Sequence, residues 1–291
     1  MPILYQPLPT SARINIFFQA PGHEIITPSQ VEASKLSMIV TGASGNFARI
    51  SPSMLVKYGT HVSLFEAKTL LFLAERTSIP IPKLYAAYAY GPLDRDVSDY
   101  GSVYDTYIFM EFIEGETLEK AWETCTPAEK KQISVQLKEY MTELRGIPDE
   151  GYIGAVDFGI VTDVILEWST PSRGPFPDED AFNAAIADAF VAESKGHVGT
   201  YIRGMLNEHK HSIVFAHGDL RPPNIMIKDG HVEAIIDWEM AGWYPEYWDF
   251  AKAFYLEHLT FSTDWATYLL DILTPYYYEE MMYSKLMRVL W

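Results

Sequence analysis

The chain has 291 residues, 48% of them hydrophobic and 21% charged, which fits a folded protein with a sizeable core and excludes a disordered or fibrous one. Its one cysteine, Cys125, excludes an internal disulfide framework and cysteine-only zinc or iron–sulfur sites, and suits a reducing compartment. Lys+Arg 22 against Asp+Glu 39 leaves a net charge of −17, the wrong sign for gripping phosphate backbones, so no nucleic-acid partner is expected.

Met1 to Pro28 has no clean hydrophobic period and reads as an arm, with a short helix start at Thr27-Pro28-Ser29-Gln30. Short apolar runs at Leu36–Val40, Phe47–Ile50 and Met54–Tyr58 read as strands. Ser63–Thr77 carries Leu64, Leu70, Leu71 and Ala74 at helical spacing, and Pro80 and Pro82 end that helix. Leu84–Tyr90 and Thr106–Phe112 make two more strands, so five strands and one helix are expected in the first part. From Thr117 the pattern turns helical, over Leu118–Thr124, Pro127–Arg145, Asp178–Ser194 and Val198–His209. Strands are expected at Ile213–Ala216, Ile225–Ile227 and Val232–Ile236, and the tail from Trp248 is helical. No run approaches the roughly 18 apolar residues of a spanning helix, and the first residues lack a signal-peptide layout. The expectation is a cytoplasmic protein with no membrane partner, its oligomeric state open.

Two short motifs mislead. Thr41-Gly42-Ala43-Ser44-Gly45-Asn46 after a strand resembles the glycine turn of short-chain dehydrogenases, which gives a remote alternative, an NAD(P)-binding oxidoreductase. That turn must open a full helix, but Ser51-Pro52-Ser53 interrupts at once, and no Tyr stands four residues before a Lys. Asp157-Phe158-Gly159 spells a magnesium tripeptide of protein kinases, but it precedes the segment where a catalytic loop is expected, so it reads as loop.

The informative stretch is His217-Gly218-Asp219-Leu220-Arg221-Pro222-Pro223-Asn224, followed by Ile236-Asp237-Trp238-Glu239. An Asp and an Asn five apart on a loop between short strands, with another Asp closing the next hairpin, can converge on one point. Phosphoryl transfer needs such convergence: a carboxylate to accept the proton of the attacking hydroxyl, and hard oxygen ligands to hold magnesium.

With these residues the sequence resembles the aminoglycoside phosphotransferase and choline kinase superfamily, most closely its fungal members. The likeness extends through Met240-Ala241-Gly242-Trp243-Tyr244-Pro245-Glu246-Tyr247-Trp248-Asp249, and upstream through Val56-Lys57-Tyr58-Gly59, Phe65-Glu66-Ala67, Ile81-Pro82-Lys83 and Phe109 to Leu118. It covers roughly residues 36 to 260. It implies an α+β, two-lobed protein-kinase-like fold, with a small β-rich N-lobe over residues 1–111 including the arm and a larger, mainly helical C-lobe over 112–291. ATP in the cleft between lobes and Mg2+ are the implied cofactors. Asp219 is the expected catalytic base, Asn224 and Asp237 the magnesium ligands, and Glu239 a further metal ligand or a structural residue. Lys57 would donate to the α- and β-phosphates with Glu66 as its ion-pair partner. Glu111 and Ile113 would offer hinge backbone to adenine, and Gly42 and Gly45 would let the Thr41–Asn46 hairpin loop approach the phosphates.

The departure from protein kinases after Asp237 bears on the acceptor. Tyr244-Pro245-Glu246 follows almost immediately, leaving no activation segment to dock a peptide, so the expected reaction is transfer of the γ-phosphate to a hydroxyl of a small molecule. A catalytically degenerate nucleotide-binding protein is the alternative. Residues 1–110 carry 8 basic and 8 acidic side chains, so the whole charge deficit lies after Met110, as do all seven Trp. Acidic walls and indole faces in that region suggest a cationic or amine-bearing acceptor, although Trp238, Trp243 and Trp248 are expected first of all to pack the core.

Overall fold

The computed structural model describes residues 11–34, 37–42, 45–166, 172–194, 198–260 and 264–290. The chain divides into two compact units, one of Met1–Ala67 with Pro82–Ile113, the other of Lys68–Ile81 with Glu114–Trp291.

In chain order the first stretch holds β1 (Arg13–Gln19), α1 (Pro28–Ser34), β2 (Ser37–Gly42), β3 (Gly45–Ser51), β4 (Met54–Gly59), α2 (Leu64–Arg76), β5 (Leu84–Gly91), α3 (Val97–Tyr100) and β6 (Asp105–Glu111). The strands form one antiparallel sheet in the order β1-β5-β6-β4-β3-β2. Ala48, Val56, Ala86, Tyr88 and Phe109 meet Val31 of α1 in the core of this unit. Cross-strand partners Tyr58, Tyr107 and Tyr88 stack across β4, β6 and β5 with ring centroids 5.3 and 4.9 Å apart, the kind of pairing that pins strand register. Alternation along β4 then turns Lys57 to the face opposite Val56.

Residues 13–19, expected to lie in an arm, are instead β1, paired with β5. The pairing is irregular between Ile16 and Phe18, and Ile16 and Phe17 are exposed, so the segment lacks the in-out alternation that marks a strand in sequence. β2 and β3 also run further than expected. They pair as far as Gly42 with Gly45, shortening the expected Thr41–Asn46 loop to residues 43 and 44, which lie outside the described residues.

The second part holds β7 (Glu116–Thr117), α4 (Leu118–Ala121), α5 (Pro127–Arg145), α6 (Glu179–Ser194), α7 (Gly199–Leu206), β8 (Ile213–Ala216), β9 (Ile225–Lys228), β10 (His231–Ile235), β11 (Gly242–Pro245), α8 (Trp248–Thr260), α9 (Trp265–Ile272) and α10 (Tyr277–Leu290). Helix α5 begins where its sequence says. Thr126 accepts the Glu129 N–H, the Glu129 carboxylate accepts the Thr126 N–H, and Pro127 fills the first helical position, where no N–H is needed. Phe182 and Ile186 of α6, Trp248 of α8 and Tyr283 and Leu286 of α10 close the main core. Strand β11 went unexpected because all four of its residues are buried, so it shows no alternation; it pairs with β8, Trp243 opposite Phe215. β10, β9 and β7 make a small second sheet.

Candidate active site

The loop after β8 turns on Gly218, whose φ of +77° is disfavoured for a side chain and where a Cβ would stand 2.5 Å from the Met240 carbonyl oxygen. Two consecutive backbone donors at this turn are buried, and both point at Asp249 in the first turn of α8. Its Oδ1 accepts the Gly218 N–H at 2.8 Å and its Oδ2 the His217 N–H at 3.3 Å. His217 is fully buried, and burial drives its pKa below the ordinary imidazole value, ahead of the opposing pull of Asp249 and Asp219. A neutral ring has one donor and one acceptor, and both are used: Nε2–H donates to the Ile236 carbonyl at 3.1 Å and Nδ1 accepts the Asp219 N–H at 3.0 Å. Packed at 4.4 Å against Trp238, this imidazole braces the loop.

Asp219 is 8% exposed. Burial alone would raise its pKa, but the cations of Lys252 and Arg221 outweigh that and hold it below the ordinary carboxylate value. Its Oδ2 accepts from Arg221 Nε at 2.9 Å and from Asn224 Nδ2 at 2.7 Å. The same Asn224 amide also donates to the Asp219 carbonyl at 2.9 Å, which orients its Oδ1, the atom a hard cation would take, away from the aspartate. Asn224 closes a single 3-10 turn started by Pro222. Its own carbonyl accepts the Ile236 N–H at 2.9 Å, so Ile236 bonds to both sides of the loop immediately before Asp237. Asp237 takes a left-handed conformation, φ 64° and ψ 61°, which turns the chain out of β10 and into the 3-10 turn Trp238–Met240 that carries Glu239. Asp219, Asn224 and Asp237 are thus tied together through direct hydrogen bonds and one shared residue.

In the first unit, Lys57 and Glu66 are both almost fully buried and form an ion pair at 2.8 Å. A buried ammonium is tolerated only with such a partner. Gly45, opposite Gly42 across the hairpin, has φ +118°, and a Cβ there would meet Val62 at 2.6 Å. The Glu111 N–H donates to the Lys83 carbonyl and the Phe112 N–H to the Ser53 carbonyl, fixing the backbone immediately before Ile113.

Three bracing residues had no role assigned from the sequence. Asp249 ends the stretch that carries the resemblance, but it acts through backbone donors, which a sequence does not display. Lys252 and Asp163 form a buried pair at 2.5 Å, with Trp248 Nε1–H also donating to Asp163. Trp238, Trp243 and Trp248 are fully buried in the core, as expected of them, and so are Trp122 and Trp265, so none of these five offers an indole face to a ligand.

Several solved structures share this fold. A thermostable mutant of aminoglycoside phosphotransferase APH(4)-Ia, in ternary complex with AMP-PNP and hygromycin B, superposes with a TM-score of 0.56 at 14% identity, over 88% of this chain and 84% of that one. APH(3'')-Id from Streptomyces rimosus, in complex with ADP and streptomycin, gives 0.53 at 15% identity, over 90% and 96%. The architecture is therefore the α+β, two-lobed protein-kinase-like fold, with a small β-rich lobe and a larger, mainly helical one. Residues 59–282 match the phosphotransferase enzyme family, and the chain belongs to that family: it is a phosphotransferase. A comparison with curated proteins finds no match.

Replacing Asp249 by Ala leaves two buried N–H groups without their acceptor, and we expect a loss of about 2–5 kcal/mol in urea unfolding together with loss of phosphotransfer. Wild-type stability in that variant would remove Asp249 as the brace of the loop.

Proposed function

We propose that this protein is an ATP- and Mg2+-dependent kinase that transfers the γ-phosphate to a hydroxyl of a small molecule. The observation that carries the reading is Asp219, a buried carboxylate kept ionised, hydrogen-bonded to Asn224 and tied through Ile236 to Asp237. Asp219 is the group positioned to orient the acceptor hydroxyl and take its proton. Arg221 and Asn224 hold one of its oxygens in place while it does so.

The donor set suits magnesium. Asn224 Oδ1 and the carboxylates of Asp237 and Glu239 are hard oxygens on short, well-braced turns. Bound there, the ion would neutralise charge on the phosphates. In this reading residues 1–111 serve the nucleotide. Lys57, oriented by Glu66, donates to the α- and β-phosphates, Gly42 and Gly45 admit the phosphates close to backbone, and Glu111 and Ile113 offer backbone groups to adenine. Residues 112–291 supply the base, the metal ligands and the acceptor site.

For the acceptor we propose a cationic or amine-bearing molecule. The buried tryptophans withdraw one support, and the argument rests on the acidity confined to the chain after Met110, together with the aminoglycosides held by proteins of the same fold. An ADP-release screen over amino alcohols, aminoglycosides, sugars and hydroxylated natural products tests both parts. A cationic acceptor should show KM rising from low to physiological ionic strength. A flat KM, or preference for neutral sugars or anions, would remove the cationic reading, and no ADP release on any acceptor would remove the kinase.

Asp219→Asn should lower kcat by about 10²- to 10⁴-fold with ATP affinity nearly unchanged. Because the Asp219 pKa is lowered in the fold, the carboxylate stays ionised through the pH range where an ordinary aspartate titrates, near 4. Its contribution to stability is therefore present above the unfolded value and is lost as pH falls through the folded one. The kcat/KM profile should have no acidic limb from this group above about pH 5; activity of Asp219→Asn within a few-fold of wild type would sink the assignment.

Asp237→Ala should abolish the magnesium dependence of ATP binding in isothermal titration. Unchanged affinity and metal dependence would leave Asp237 a structural residue.

A further inference from the structure

We propose that His209, His211 and Glu279 form a binding site for a divalent transition metal of the zinc type, oriented by Glu179 and separate from the groups assigned to phosphoryl transfer. One ligand atom from each of the three residues lies within 4.8 Å of the others. The two histidines sit on the connection between α7 and β8, and their rings lie edge-on with centroids 6.3 Å apart. Lys210 between them is engaged with a different carboxylate, Asp180 of α6.

His211 is built like a metal-bound histidine. Its Nδ1 donates to Glu179 Oε1 at 2.7 Å, its backbone N–H donates to Glu179 Oε2 at 3.1 Å, and both side chains are more than nine-tenths buried. A carboxylate on one imidazole nitrogen fixes the ring and turns the other nitrogen toward a metal, the arrangement that surrounds ligating histidines generally. The free edge is aimed accordingly: His211 Nε2 stands 3.4 Å from Glu279 Oε1. Two ligands on a tetrahedral zinc, with bonds of about 2.0 Å, stand roughly 3.3 Å apart. The rings of Tyr247 and Tyr276 pack edge-on against this imidazole at 4.7 and 6.0 Å and hold its plane.

The third ligand is the adjustable one. His209 Nδ1 is 2.6 Å from Glu279 Oε1, a hydrogen-bond distance and too close for two ligands of one ion, so joining the ion asks a small outward shift of this half-exposed ring, which packs edge-on against Tyr278 at 5.0 Å. Glu279 lies in the first turn of α10, where the helix dipole favours a carboxylate. A cavity of about 20 Å³, bordered by His209, His211 and Glu279 on its polar side, has room for about one water as a fourth ligand. Two imidazoles and one carboxylate suit zinc and its neighbours, whereas magnesium takes oxygen. The site precedes the first residue of β8, and the candidate catalytic loop follows the last; four residues of strand, roughly 13 Å, lie between.

The test uses the whole chain, freed of metal by chelator dialysis and without nucleotide. Zn2+ should bind at one equivalent per chain in calorimetry, Co2+ should give the visible absorption of a four-coordinate ion, and Zn2+ should raise the Tm. His209→Ala, which removes a half-exposed ligand and should match the metal-free wild type in circular dichroism, should weaken binding at least tenfold and abolish the Zn2+-dependent rise in Tm. Glu179→Gln should weaken binding about tenfold with stoichiometry unchanged. Asp237→Ala should bind Zn2+ as the wild type does. Failure to take up one equivalent at micromolar Zn2+, equal affinity in His209→Ala, or loss of uptake in Asp237→Ala would each overturn the proposal.

Discussion

The Asp249 carboxylate, shared between the N–H groups of His217 and Gly218, is the contact on which the candidate site depends. Consecutive N–H groups aimed the same way require a tight turn, and the tight turn requires the glycine, whose missing Cβ admits the Met240 carbonyl. Once the turn is fixed, the His217 ring has one orientation available and spends both nitrogens on the backbone, one on each side of the site. Asp219 then inherits its position from the braced His217 ring and from Arg221 and Asn224, which is what a group must have if it is to act on a proton without first reorganising.

Electrostatics inside the second unit follow from the same frame. A buried aspartate next to apolar side chains would ordinarily drift toward its neutral form. Here Lys252, buried and paired with Asp163, contributes a fixed cation whose field reaches Asp219. The pair is expensive to desolvate, and three hydrogen-bonding groups around Asp163, from Lys252, Trp248 and Ile165, offset that expense. The Lys57–Glu66 pair answers the same problem in the first unit with a strand and the start of a helix.

What could be read from the sequence was whatever is written in local spacing. The Thr126-Pro127 start of α5, the strands around Asp219 and Asn224, and the helix that carries Glu66 each have a short-range signature, and each lies where that signature places it. What depends on tertiary partners stayed hidden. β1 leaves Ile16 and Phe17 exposed and so does not alternate, β11 is buried on every residue, and Asp249 serves backbone donors that have no letter in a sequence. Tryptophan composition is a weak guide to a ligand for a related reason: an indole is as useful for filling a core as for holding a cation, and Trp238, Trp243 and Trp248 fill the core, as expected of them.

The braced loop closes over a short length of chain. His217 and Asp249 are 32 residues apart, and β8, Asp219, Asn224, Asp237 and β11 all fall between Ile213 and Asp249. The entropy of closing a loop grows only with the logarithm of its length, about 0.6 kcal/mol per doubling, but contacts this near in sequence also form early, before distant helices must be recruited. The hydrogen bonds that brace the loop are thus made within one contiguous stretch, while Lys252 and its partner Asp163, which act on the charge of Asp219, lie outside it, so the shape of the loop and the ionisation of its carboxylate draw on different parts of the chain.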